Sequence, residues 1–191
     1  MVAERGYDET SFSAVAEQVG VSKGTIVHHF GTKDRMLGLS HAQYIGRRLV
    51  EARAVVAGLD DSADQLAVMV FCLLRAHRDD RAPTIAFLRE FTRFAASDEL
   101  ADVRALRDAY FQLLTEILRR GVDRAHFREL DPEITALQVF GMCNYAWTWF
   151  RPDGPLGPED IAAAFAHNLI GGIGGIGGIG GIGGIGGIGA G

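Results

Sequence analysis

The chain has 191 residues, 48% of them hydrophobic, and carries 24 acidic side chains against 19 Lys and Arg for a net charge of −5. Its two cysteines, Cys72 and Cys143, are far apart and unpaired in spacing, which argues against a disulfide framework or a zinc site and fits a reducing cytoplasm. No stretch has the charged start, apolar middle and small-residue end of a secretory leader, and with this acidity any contact to nucleic acid must be a local patch.

In chain order, nearly everything reads at helical period. Phe12, Val15, Ala16 and Val19 form the stripe of a short amphipathic helix, with Thr10 or Ser11 as its cap and Gly20 as its end. Ser22 caps a second short helix running to about His28. Thr32 caps a third, with Asp34 in a first turn where the helix dipole favours negative charge. That third helix is expected to run from Lys33 to Gly58, long enough to join two parts of the molecule. After the break "GLDDSAD" come helical runs at about Asp64–His77, Pro83–Ala96, Leu100–Gly121, Pro132–Phe150 and Pro158–Ile170, separated by short Asp-, Pro- or Gly-marked connections. From Gly171 a Gly-Gly-Ile repeat takes over. Two glycines in three oppose a helix at about 1 kcal/mol each, so this part reads as a low-complexity tail and not as a membrane span. The fold class is all-α, with a small head of short helices at 1–45, a larger bundle at 46–170 and the tail at 171–191.

The first two helices share a telling spacing: Ala16, Gly20 four residues on, Ile26 six further. A tight helix-turn-helix needs a small residue where the helices touch, a glycine able to take positive φ at the turn, and an aliphatic anchor on the second helix. The run "TSFSAVAEQVGVSKGTIVHHFGTKDRML" closely resembles the DNA-binding domain of the TetR family of bacterial transcription regulators, over about Gly6 to Leu37. The resemblance implies a second helix lying in the major groove, its first residues against base edges. It also accounts for the absence of acid from Val21 to Lys33. Lys23 is placed for a guanine edge or a phosphate, and Gly24 for close approach of the backbone. Ser22 and Thr25 suit a phosphate, and Thr25 also a thymine methyl. His28 and His29 suit the phosphate backbone, and Lys33 a phosphate at the start of the third helix. The chain departs from the pattern at Val27, where the family usually has Tyr. It also has only "MVAERG" where members begin with a full helix, so the first helix is expected to be truncated. Adjacent His28 and His29 do not face each other on a helix, which argues against a metal site.

The bundle holds no phosphate-binding glycine loop, no His-Glu-x-x-His and no nucleophile with an evident base, so an enzyme is not expected, nor a cofactor. It holds aromatic stripes instead: Phe71 and Leu74 on one helix, Phe87, Phe91 and Phe94 on the next, then Phe111 and Leu114, then Phe140, Cys143 and Trp147. Each fits ordinary core packing. The family resemblance implies that such residues also line an effector pocket between the helices, and apolar walls with few polar groups suit one. Arg89 and Arg93 could meet an anionic ligand group or pass along the surface. "NYAWTWFRPDGPLGPEDIAAAFAHNLI" looks like the end of a TetR subgroup some of whose members govern fatty-acid or steroid breakdown and respond to acyl-coenzyme A thioesters. The last two helices would then pair with those of a second copy, Ala162, Ala163, Ala164 and Ala166 allowing close approach.

These readings amount to a cytoplasmic, homodimeric, ligand-responsive repressor that binds double-stranded DNA at a pseudopalindromic operator and is released by a small apolar or acyl-type effector. The alternative is a helical lipid- or acyl-binding protein with a vestigial head, favoured by the short N-terminus and by Val27.

Overall fold

The computed structural model describes residues 1–90 and 100–173. Among them every regular element is helical, and each boundary has a local cause. A short stub, α1 (Val2–Arg5), precedes α2 (Phe12–Val19), α3 (Lys23–Phe30) and the long α4 (Lys33–Ala57). Ser11 rather than Thr10 caps α2, its hydroxyl accepting the Ala14 N–H at 3.1 Å, while the Thr10 hydroxyl donates back to the Gly6 carbonyl. Gly20 ends α2 at φ 72°, a conformation that costs other residues about 1–2 kcal/mol. Ser22 and Thr32 cap α3 and α4, satisfying backbone N–H groups that the helices leave open.

The bundle continues with α5 (Ser62–Asp79), α6 (Arg81–Arg89), α7 (Ala101–Asp123), α8 (Pro132–Asn144), a 3-10 turn (Tyr145–Thr148) and α9 (Pro158–Ile173). Asp61 and Asp131 cap α5 and α8 through two backbone N–H groups each. Helix α5 is central. Its Leu66, Met69, Val70 and Leu74 are almost wholly buried, with α9 and α7 packed against it and α8 against α7.

Three boundaries differ from expectation. The run expected from Pro83 begins at Arg81, because proline is at home in a first turn where its missing N–H has no partner to lose. The run expected to reach Phe150 stops at Asn144. The tighter 3-10 turn that follows keeps Ala146 and Phe150 both buried before Pro152 restricts the chain. Helix α9 passes through Gly171 and Gly172 to Ile173, although the tail was expected to start at Gly171. The cost of those glycines is offset by Ile173, which is buried, and by Arg128, which donates its backbone N–H to the Ile173 carbonyl at 2.8 Å and its Nε–H to the Gly172 carbonyl at 3.0 Å. The rest of the repeat lies outside the described residues.

Candidate DNA-reading head and effector cavity

In the head, Ala16 and Ile26 are buried where α2 and α3 touch, and the turn between them rests on Gly20. Burying Ile26 fixes the rotation of α3. Ser22, Lys23, Gly24, Thr25, Val27, His28 and His29 are all exposed, and by helical geometry Gly24 and His28 lie on the line farthest from Ile26 and Phe30. A Cβ on Gly24 would meet only the Ser22 hydroxyl, at an ordinary 3.5 Å, so nothing within the protein demands glycine there. Ser22 and Thr25 are joined to each other: the Ser22 oxygen accepts the Thr25 N–H at 3.0 Å, and the two hydroxyls are 2.9 Å apart.

Lys33 stands apart from the other seven. It is half-buried, donates to the Tyr7 carbonyl at 2.8 Å, and places its ammonium 3.9 Å from the centre of the Tyr7 ring. The same Tyr7 donates its hydroxyl to Asp34. The expected phosphate clamp is thus already committed to holding the start of α4 against the N-terminal turn. Arg89 is committed too, donating to the carbonyls of Ala3 at 3.0 Å and Glu4 at 3.2 Å. Its neighbour Glu90 accepts the Tyr7 N–H at 3.0 Å. The end of α6 therefore grips the head: Arg89 is exposed, as a surface charge would be, but its guanidinium is spent on the N-terminal turn.

A partly open cavity of about 220 Å³ lies in the bundle, lined by α4 (Tyr44, Ile45, Arg48), α5 (Cys72, Leu73, Ala76, His77), α6 (Thr84, Phe87, Leu88), α7 (Arg107, Asp108, Tyr110, Phe111) and α8 (Leu137, Phe140, Asn144). Of the nine expected pocket residues, the structure brings Phe87 and Phe111 to this wall. Leu74, Leu114 and Cys143 are instead core residues at 0–2% exposure. Phe71 turns the other way, onto an open groove between α5 and α9, with the Arg75 guanidinium 5.6 Å from its ring centre. Trp147 is half-buried in the 3-10 turn and does not line the cavity. Phe91 and Phe94, like Arg93, lie outside the described residues.

The wall also has a polar part that aromatic periodicity does not reveal. Arg48 pairs with Glu51 and with Asp80, each at 3.1 Å. Burial disfavours charge throughout: it pushes the Cys72 thiol and the Tyr44 and Tyr110 hydroxyls up, and holds His77 and Arg107 below their ordinary values. Cys143 is pushed up to about 12. Both cysteines are therefore thiols rather than nucleophilic thiolates at neutral pH. A signal was present in the sequence, since His77 and Thr84 interrupt otherwise apolar helix faces.

Compared with known proteins, residues 1–38 match the family described as "Bacterial regulatory proteins, tetR family", and residues 59–173 match "Tetracyclin repressor-like, C-terminal domain". The chain belongs to the TetR family. It is a transcriptional regulator with a helix-turn-helix head, not an enzyme. It is similar to the HTH-type transcriptional repressor KstR2 of Mycobacterium tuberculosis, 21% identical over 91% of this chain and 87% of that one. It is 24% identical to the fatty acid metabolism regulator protein of Bacillus subtilis, over 91% and 90%. The solved structure of AibR in complex with isovaleryl coenzyme A and operator DNA superposes with a TM-score of 0.81 at 22% identity, covering 88% of this chain and 91% of that one. Among the described residues no helix is long and apolar enough to cross a membrane.

Proposed function

We propose that this TetR-family regulator is a cytoplasmic repressor that holds a pseudopalindromic operator through α3 and releases it when an acyl-type effector enters the bundle cavity. The observation that carries the reading is that two helices each belong to both sites. Helix α4 contributes Lys33 and Asp34 to the head and Tyr44, Ile45 and Arg48 to the cavity wall. Helix α6 contributes Thr84 and Phe87 to the wall and Arg89, with its neighbour Glu90, to the grip on the head. A ligand that shifts α4 or α6 cannot leave the head where it was. Coupling of the usual 1–3 kcal/mol would suffice for control.

In this reading Ser22, Lys23, Gly24, Thr25, Val27, His28 and His29 face DNA, while Lys33 serves mainly to position the head. The room beside Gly24 suits close approach to base edges, and an acid-free face suits phosphates. The acyl-type effector is supported by the apolar wall with its few polar groups, and by relatives named for fatty acid regulation and for a complex with isovaleryl coenzyme A. The dimer face is assigned to α8 and α9. Ile134, Leu137 and Tyr145 are 61–66% exposed along one side of α8 and its extension, and Ala163, Ala164 and His167 of α9 are exposed as well. Ala162 and Ala166 do not belong to that face, because they are buried on the side of α9 that packs against α5.

The test is a titration of the protein–operator complex with isovaleryl-, hexanoyl- and palmitoyl-coenzyme A, followed by fluorescence anisotropy of the DNA. Saturable release by at least one thioester is expected. An operator complex indifferent to all three, with free coenzyme A as control, would remove acyl groups from the effector class.

A further inference from the structure

The proton inventory at the polar end of the cavity is fixed by its neighbours, and it leaves an imbalance. A carbonyl only accepts, so the 3.1 Å contact between His77 Nε2 and the Cys143 carbonyl places the ring hydrogen on Nε2. Nδ1 is then a bare acceptor, and it has no partner, although His77 is 1% exposed and lines the cavity. Thr84 spends its one hydroxyl hydrogen on the Ala76 carbonyl at 3.0 Å. In the 3.0 Å contact between the Tyr44 and Thr84 hydroxyls, Tyr44 must therefore be the donor. Three cavity-lining residues from α4, α5 and α6 thus have lone pairs left over and no hydrogen to give. One buried donor is also left without a partner, the Nε–H of Arg48.

We propose that the cavity is built for an effector whose apolar body carries an uncharged hydrogen-bond donor, namely a hydroxyl, that donates to His77 Nδ1. This rests on the reading of the cavity as the effector site and specifies the ligand within it. The neutral ring is favoured by burial, which lowers the His77 pKa. The guanidinium groups on the wall are matched by carboxylates, Arg48 by Glu51 and Asp80 and Arg107 by Asp108, so no uncompensated acid calls for an ammonium, and a neutral donor avoids the cost of burying a further charge. A hydroxyacyl group meets both leftovers, its hydroxyl giving to His77 and its carbonyl accepting from Arg48. The cavity of about 220 Å³ is below the usual 300–1,000 Å³ of ligand pockets, which favours a short chain over a fused-ring body.

The experiment is calorimetric titration of the full-length protein with hexanoyl-, β-hydroxyhexanoyl- and β-ketohexanoyl-coenzyme A. The hydroxy thioester is expected to bind roughly fivefold to tenfold more tightly than the other two, the scale of one buried neutral hydrogen bond. The keto group should gain nothing, since it sets a carbonyl against a lone pair. His77→Phe should abolish the preference, so that the hydroxy thioester binds no more tightly than the hexanoyl and keto compounds. Equal binding of the three, tighter binding of the keto compound, or a preference that survives His77→Phe would overturn the proposal and leave the acyl effector standing. If no thioester binds, the acyl reading fails, and hexanol against hexyl methyl ether decides the donor question. Stronger binding of the alcohol by a similar factor upholds it, and no difference overturns it. The comparisons on the unaltered protein decide even where His77→Phe does not fold.

Discussion

Two lysines of the head are alike in sequence and opposite in circumstance. Lys23 is exposed at the start of α3, whereas Lys33 is tied to the carbonyl and ring of Tyr7. Lys23→Ala should flatten the dependence of log affinity on log salt by about one unit for each head of the dimer, the signature of a lost phosphate contact. Lys33→Ala should weaken binding to every DNA sequence with little change in that slope and with a lower melting temperature. A flatter slope for Lys33→Ala would show that it reaches phosphate after all. Buried His41, against the Phe87 ring at 5.4 Å, gives a second test at this scale. Burial holds its pKa at about 4, below the ordinary 6.5, so the unfolded chain binds the extra proton between those values. Its contribution is complete above about pH 6.5 and is lost as pH falls toward about 4, up to roughly 3 kcal/mol. Denaturant melts of His41→Leu should show a shallower loss of stability over that window, and an unchanged profile would remove His41 as a cause.

Helices were legible where one chemical signal dominated. Ser22, Thr32 and the Gly20 turn announced three boundaries, because caps and positive φ are local requirements. The end of α9 was not legible. Two glycines argue against helix locally, and what outweighs them is tertiary: Ile173 is buried, and the two Arg128 bonds come from a residue 44 or 45 positions away. A chain ending after Ile173 should therefore melt like the full protein, while one ending after Ile170 should lose about 2 kcal/mol, the burial of one isoleucine. Equal stability of the two truncations would mean that the last turn of α9 holds nothing. The cavity was half legible for a related reason. Aromatic periodicity marks a buried face, but it does not say which buried residues border a void. Phe87 and Phe111 border it, whereas Leu74, Leu114 and Cys143, on equally apolar faces, fill the core beside it.

At the scale of the molecule, two helices, α4 and α6, each reach from the DNA-reading head to the cavity. Helix α4 is continuous over 25 residues, with its head end pinned by Tyr7 and its bundle end buried at Leu49 and Ala52. The short α6 places Thr84 on the cavity five residues from Arg89 on the head. Such a device has a purpose only if the exposed face of α3 selects particular DNA. The measurement that bears most directly on this is genome-wide capture of fragments by the purified full-length protein at moderate salt. Enrichment of a short inverted repeat is expected, its half-sites one helical turn or more apart to match two copies of α3 in a dimer. Binding that is sequence-blind and vanishes with added salt would contradict it, and the bundle would then stand as a binding protein in its own right.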